Sequence, residues 1–293
     1  MSEGVVFDLG YAPHEGERLG RPGALRALYR DGLRKVLGLR RRARSKVFPW
    51  MLLGIAVLPA LFFIAFGILA GNLADNLAEA TFFSHSRYFE MTGVIGLIFV
   101  ALASSELLVP DRVHGVMAVY ASRPLSMVDY LAGRAASLGT VVFAFMEIPH
   151  LVLFFGRAWV SDGGFGSYVV ENVSVLWETS LASLLYFVMY AALGFLVASF
   201  ASRPAIAAGV LVGVVSISGP ATDALVSTGT FRVAGLLALQ HHPGYVKDWI
   251  MGDDVRRWIP EAAGFGPTAS LAAIVVIAAL SAAVVVRRYR SLR

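Results

Sequence analysis

Long apolar runs alternate with short polar blocks along this chain, and the runs have the length of a membrane crossing. Residues 49–71 carry no charge, and neither do residues 267–286. A helix rising 1.5 Å per residue needs about 20 such residues to cross the hydrocarbon core of a bilayer. Uncharged runs also occupy 179–202 and 205–222. Residues 91–109 are interrupted only by Glu106, and residues 135–156 only by Glu147 and His150 among polar titratable groups. The pattern predicts an all-α integral membrane domain over 49–286 with six transmembrane helices.

The segments outside these runs have patterns of their own. Over 20–48, Leu25, Leu28, Tyr29, Leu33, Val36 and Leu37 recur at helical spacing. Arg26, Arg30 and Arg34 fall on another face, so the segment reads as one amphipathic helix, 20–47, lying on a membrane surface. The run LRRRARSK that ends it suits anionic lipid headgroups. Residues 1–19 read as a flexible tail or a partner contact, and residues 287–293 as a basic tail. The segment 223–266 is long for a loop. It holds VAGLLALQ, too short to cross, and then HHPGYVKDWIMGDD, with aromatics beside charges. Short amphipathic or re-entrant helices before the last span are expected there. Gly219-Pro220 is expected to end the fifth span. Within that span Ala205, Gly209 and Gly213 recur every four residues, a face that lets a second helix approach closely, from this chain or another copy.

Charge then orients the bundle. With the N-terminus inside, nineteen Lys and Arg fall on inner segments and six on outer ones. Cytoplasmic segments carry the excess of basic residues, so both termini are expected in the cytoplasm and the chain in an inner or plasma membrane, of a bacterium. Composition agrees, with 57% hydrophobic and only 15% charged residues, against roughly a quarter charged in soluble domains. No cleavable signal peptide is recognised ahead of the first span. The absence of Cys removes disulfides and thiolate metal sites.

Catalytic motifs are missing. Lys35, Lys46 and Lys247 follow Arg34, Ser45 and Val246, so no lysine stands in a Walker A loop. Neither H-E-x-x-H nor G-x-S-x-G occurs. His241-His242 lacks a third ligand at useful spacing and is placed at the wet outer interface. The chain is read as neither an enzyme nor a nucleic-acid binder, with no metal or cofactor of its own. Acids within spans are more informative, because a carboxylate at the bilayer centre costs about 2.5–3.5 kcal/mol. Glu147 and His150 share a helix face in the outer half of the third span, with Pro149 between them. Glu178 lies at similar depth in the fourth. The three are candidates for a substrate pathway, or for ordinary interhelical hydrogen bonds.

The most polar block between spans is DRVHGVMAVYASRPLSMVDYLAGR, residues 111–134. Asp111 is expected to cap a short helix with Val113, Val116, Met117 and Tyr120 on its apolar face. Arg123-Pro124 ends it, and Ser126 caps a new helix that continues into the third span. The block resembles the loop after the second span in permease subunits of type-2 ATP-binding-cassette exporters, which have the type V exporter fold. That loop reads acid–Arg–x–x–Gly, then Arg-Pro-apolar-Ser, then Tyr-Leu and a basic residue. The matching residues here are Asp111, Arg112, Gly115, Arg123, Pro124, Leu125, Ser126, Tyr130, Leu131 and Arg134. The basic N-terminal helix, the six spans and the long segment before the last span extend the likeness over the whole chain.

The resemblance implies that the block is a coupling helix seated in a groove of a separate ATP-binding subunit. Two copies of that subunit would hold the ATP and Mg, and a second permease would complete a homo- or heterodimer in the lipid bilayer. The cargo it implies is an apolar or amphipathic small molecule. SKVFPWMLLG lacks the aromatic-rich start of polysaccharide-exporting members. The alternatives are a polysaccharide or lipid exporter of the same fold, and a non-transporting membrane anchor or sensor subunit.

Overall fold

The computed structural model describes residues 19–39, 43–70, 84–229, 231–253 and 257–291. The proposed tail 1–19 lies almost wholly outside them, as does part of LRRRARSK. The described residues are helical, with six helices long and apolar enough to cross a membrane. In chain order the elements are α1 (Gly20–Val36), α2 (Ala43–Ala70), α3 (His85–Val113), α4 (Met117–Ala121), α5 (Met127–Val160), α6 (Phe165–Glu171), α7 (Ser174–Ala198) and α8 (Pro204–Ser227). A 3-10 turn (Arg232–Leu237) follows, then α9 (His241–Met251), α10 (Ile259–Ala262) and α11 (Pro267–Arg290). The six long helices α2, α3, α5, α7, α8 and α11 correspond to the six apolar runs, and they mark a multi-pass membrane protein.

Local sequence accounts for the helix ends. The Ser84 hydroxyl accepts from the Arg87 N–H to start α3. Ser126 and Asp129 form a reciprocal capping box at the start of α5. Pro204 and Pro267 open α8 and α11, where the missing N–H would have had no helical partner. Arg287, Arg288 and Arg290 close α11, beside the carbonyls that carry the negative end of the helix dipole.

Three boundaries differ from the sequence expectation. The amphipathic helix ends at Val36, and the chain turns through Gly38 at φ 66°. Asp111 is no N-cap, because α3 runs on through Pro110 to Val113 and places it in the last turn. Gly219-Pro220 does not end α8, which continues to Ser227. The hydroxyl of Ser218 bonds the Val215 carbonyl and that of Thr222 bonds the Ser218 carbonyl, both in the turn ahead of this proline, and such side chains help a membrane helix carry one.

α3, α5 and α7 form the centre of the bundle. α5 packs against α1, α2, α3 and α7, and α7 packs against α3, α8, α9 and α11. α2, α8 and α11 bury only one side and turn Ile55, Phe62, Ile217, Val275 and Leu280 outward, the surface such a bundle offers to lipid. Close packing at the centre needs small residues. A Cβ on Gly194 of α7 would stand 2.6 Å from Ser104 of α3, and one on Gly133 of α5 would stand 2.7 Å from Leu28 of α1.

Tyr130 at the start of α5 stacks on Tyr289 at the end of α11. This proximal end also carries α1 and the block 111–134. The distal end carries the start of α3, α6 and the segment between α8 and α11.

Candidate functional site

The proximal block divides into a buried base and an exposed tip. At the base the Asp111 carboxylate is 4% exposed and Arg134 is 0% exposed. Arg134 donates to Asp111 Oδ2 at 2.6 Å, to Asp31 Oδ2 at 2.8 Å and to the Tyr120 hydroxyl at 2.9 Å. Tyr130 donates to Asp111 Oδ2 at 3.0 Å, and Lys35 Nζ donates to Asp111 Oδ1 at 2.7 Å. Two acids and two bases therefore meet with two phenols, and the pairing offsets the desolvation of each charge. Burial raises the pKa of the Asp31 carboxyl, but the Arg134 hydrogen bond and the Lys35 and Arg134 charges outweigh it, leaving a net lowering. Arg112 donates to the Ala201 carbonyl just past α7. The block is thus clamped to α1, to α5 and to the link before α8.

The tip is different. Gly115, Ser122, Arg123, Pro124 and Ser126 are exposed. Gly115 sits at φ 68°, a left-handed conformation that favours glycine at this reversal, and a Cβ there would meet nothing within 4 Å. Arg21 clamps the far side of the block, donating to both oxygens of Asp129 at 2.6 and 3.1 Å. Of the residues singled out in the block, Asp111, Tyr130 and Arg134 thus hold its base, while Gly115, Arg123, Pro124 and Ser126 face outward. Sequence reasoning missed Asp31 and Lys35. The signal available was an acid and a lysine four residues apart on α1, flanking the buried stripe Leu28, Gly32 and Val36.

Toward the distal end the candidate pathway residues separate. Glu147 is buried and accepts from the Ser183 hydroxyl of α7 at 2.8 Å. Thr179 and Ser180 lie beside the same carboxyl. His150, one turn on, does not join it. Its ring stacks on Phe89 with centroids 3.9 Å apart and lies against Tyr88 and His85. Neither ring nitrogen of His150 or His85 has a hydrogen-bond partner among the described residues. Glu178 is half-exposed and joins neither group. A small cavity of about 70 Å³ lies nearby, lined by Glu90, Gly93, Tyr186, Tyr190, Gln240 and Trp258. It brings a carboxyl, two phenols, an amide and an indole together between α3, α7 and the segment before α11.

That distal segment forms a packed cap. His242 is not at a wet surface, as expected from sequence for the pair, but inside the cap, and His241 beside it is half-buried. His242 is fully buried, with Nε2 2.9 Å from the Leu236 carbonyl and Nδ1 3.1 Å from the Ser270 hydroxyl. A carbonyl can only accept, so Nε2 carries the proton and Nδ1 accepts from Ser270. Burial lowers the His242 pKa, keeping the ring neutral. Lys247, also fully buried, donates to the Ser86 carbonyl at 2.8 Å and pairs with Asp248 at 2.6 Å. Burial lowers its pKa against the opposing Asp248 charge. Asp248 also accepts from Ser86 and the Trp258 indole. These bonds fasten α9 to the first turn of α3.

The small face of α8 points away from the chain. Its buried face is Ala207, Ala208, Leu211, Val215 and Gly219. Ala205 and Gly209 are exposed, Gly213 is half-exposed, and a Cβ on either glycine would meet nothing within 4 Å. The helix these residues could receive therefore does not come from the described part of this chain. Among the described residues no cluster of three or more His, Asp or Glu has the arrangement of a metal site.

No protein-family model matches the chain, and a search of curated proteins finds no match.

Proposed function

We propose that this chain is the transmembrane permease subunit of an ATP-driven exporter and that the tip of the 111–134 block is its contact with a separate ATP-binding subunit. In this reading the proximal end is cytoplasmic, in keeping with the excess of basic residues there. The observation that carries the proposal is the division of the block. Its matching motif residues separate into a buried, ion-paired base and an exposed tip with Gly115, Arg123 and Pro124. A lever needs that combination. The tip receives a push from outside, and the base passes it without yielding to α3, α5 and α1.

Arg123 is the side chain best placed for a charge-assisted bond to an acidic groove. ATP and Mg would belong to the partner, because no lysine of this chain stands in a phosphate-binding loop. A second permease would meet the outward small face of α8, and cargo would move between the two copies. The cargo that the resemblance implies is an apolar or amphipathic small molecule.

The test is affinity purification of the chain from its native membrane in mild detergent, with mass spectrometry of co-purifying proteins. Recovery of a Walker-containing subunit, reduced by Arg123→Ala, is the expected result. An intact preparation that brings down no such subunit would refute the proposal and favour an anchor or sensor.

A further inference from the structure

A groove of about 230 Å³ lies at the proximal end between α1, α2 and α3. Phe48 and Leu52 of α2 and Phe99 and Leu102 of α3 supply its apolar lining, and Lys35 and Glu106 are its charged members. Its volume falls below the roughly 300–1,000 Å³ of pockets that enclose a drug-sized ligand. A groove of this size suits part of a longer molecule whose remainder lies outside. What lies outside is bilayer, because Val47, Trp50 and Met51 beside it on α2 are all exposed and apolar. A tryptophan at this level sits where headgroups meet acyl chains.

The helix over the groove is cationic. Arg26, Arg30 and Arg34 are exposed on one face of α1, and none makes a hydrogen bond or ion pair among the described residues. Lys35 Nζ directs two of its three N–H groups to Asp111 and Asp31, leaving one for a further acceptor. Glu106, itself engaged, is the one carboxylate in the lining and offsets Lys35 there, while the three arginines stand outside the lining on the exposed face of α1.

We infer that this groove is a binding site for an anionic bilayer phospholipid. An acyl chain lies against Phe48, Leu52, Phe99 and Leu102, and the phosphate meets the basic edge of α1. Apolar volume and positive charge adjoin at the depth where a phospholipid presents the complementary pair. Because α1 also supplies Asp31 and Lys35 to the ion network under the block, the bound lipid steadies the element that holds that network. The inference does not depend on the transport proposal.

The experiment is native mass spectrometry of the full chain in detergent, with phosphatidylglycerol and phosphatidylcholine added in equal amounts. The expected result is a phosphatidylglycerol adduct that survives activation energies stripping phosphatidylcholine. A basic residue at an anionic surface is worth about fivefold in affinity, so R30Q with R34Q lowers the preference by up to about 25-fold. Both positions are exposed, so the pair is compatible with folding. Leu102→Trp fills the groove without altering charge and is expected to remove the retained adduct. Equal retention of the two lipids by the unchanged chain would overturn the site, as would indifference of the adduct to R30Q/R34Q. Retention undiminished in a folded Leu102→Trp chain would overturn its placement in the groove.

Discussion

Arg123 and Arg134 stand in one polar block, yet burial gives them different work. Arg134 is enclosed and joined to Asp111, Asp31 and Tyr120. Removing it takes one of two cations from buried Asp111 while Lys35 keeps its bond, so the cost approaches but does not reach the about 3–5 kcal/mol of a buried pair broken outright. Arg123 is exposed at the tip, where substitutions fall within about 0.5 kcal/mol. Thermal unfolding in detergent is therefore expected to show a large loss for Arg134→Ala and almost none for Arg123→Ala, while partner capture falls for both. Equal unfolding temperatures would contradict the buried network. The motif residues were legible in sequence as a block, but their division into base and tip was not. Spacing along a chain does not reveal which arginine meets an acid contributed by a helix about a hundred residues earlier.

The element that completes the network is α1. Leu28, Gly32 and Val36 bury one stripe of it, and Gly32 lies so close to Ser137 of α5 that a Cβ there would force a shift. Asp31 adds a titratable clasp. Its pKa is lowered from 3.8, burial opposing but the Arg134 bond and the Arg134 and Lys35 charges prevailing. A carboxyl held below its unfolded value stabilises above that value and loses the contribution as the pH falls through the folded one. The Asp31→Asn chain is thus expected to unfold earlier than the unchanged chain at pH 7. The gap closes as the pH drops below 3.8, and unfolding curves recorded across that range measure it. A gap independent of pH would show that Asp31 acts by shape and not by charge. At this scale the six spans were legible from apolar length alone. Their ends were not, because helices continue past Pro110 and Pro220 where packing in the bundle outweighs the one backbone bond each proline removes.

At the scale of the whole molecule, the outward glycines of α8 are the feature the chain does not use for itself. Gly209→Leu and Gly213→Leu place side chains where nothing stands within 4 Å. The folded monomer should keep its unfolding temperature to within a degree or two, since surface changes are worth about 0.5 kcal/mol. Association of two copies, read by cross-linking in native membrane or by mass in detergent, is expected to fall sharply, because closely approaching helices tolerate only small residues there. Unchanged association would move the interface to α2 or α11, the other helices with broad outward apolar faces.

Apolar length and the placement of basic residues were enough to read six helices, an amphipathic helix before them and a polar block after the second. Water and lipid sort side chains locally, so these properties are written residue by residue. Which helices occupy the centre was not readable, because the central α7 and the peripheral α2 are alike apolar over most of their circumference, with no strong stripe to mark an inward face. Their positions follow from where small residues such as Gly194 meet Ser104 and where a buried charge finds its opposite. Nor was it readable that Glu147 would turn to Ser183 while His150 joined His85, or that His242 and Lys247 would lie inside the cap. Each of these outcomes depends on desolvating a polar group against one particular partner, and the partner is brought near only when distant segments pack.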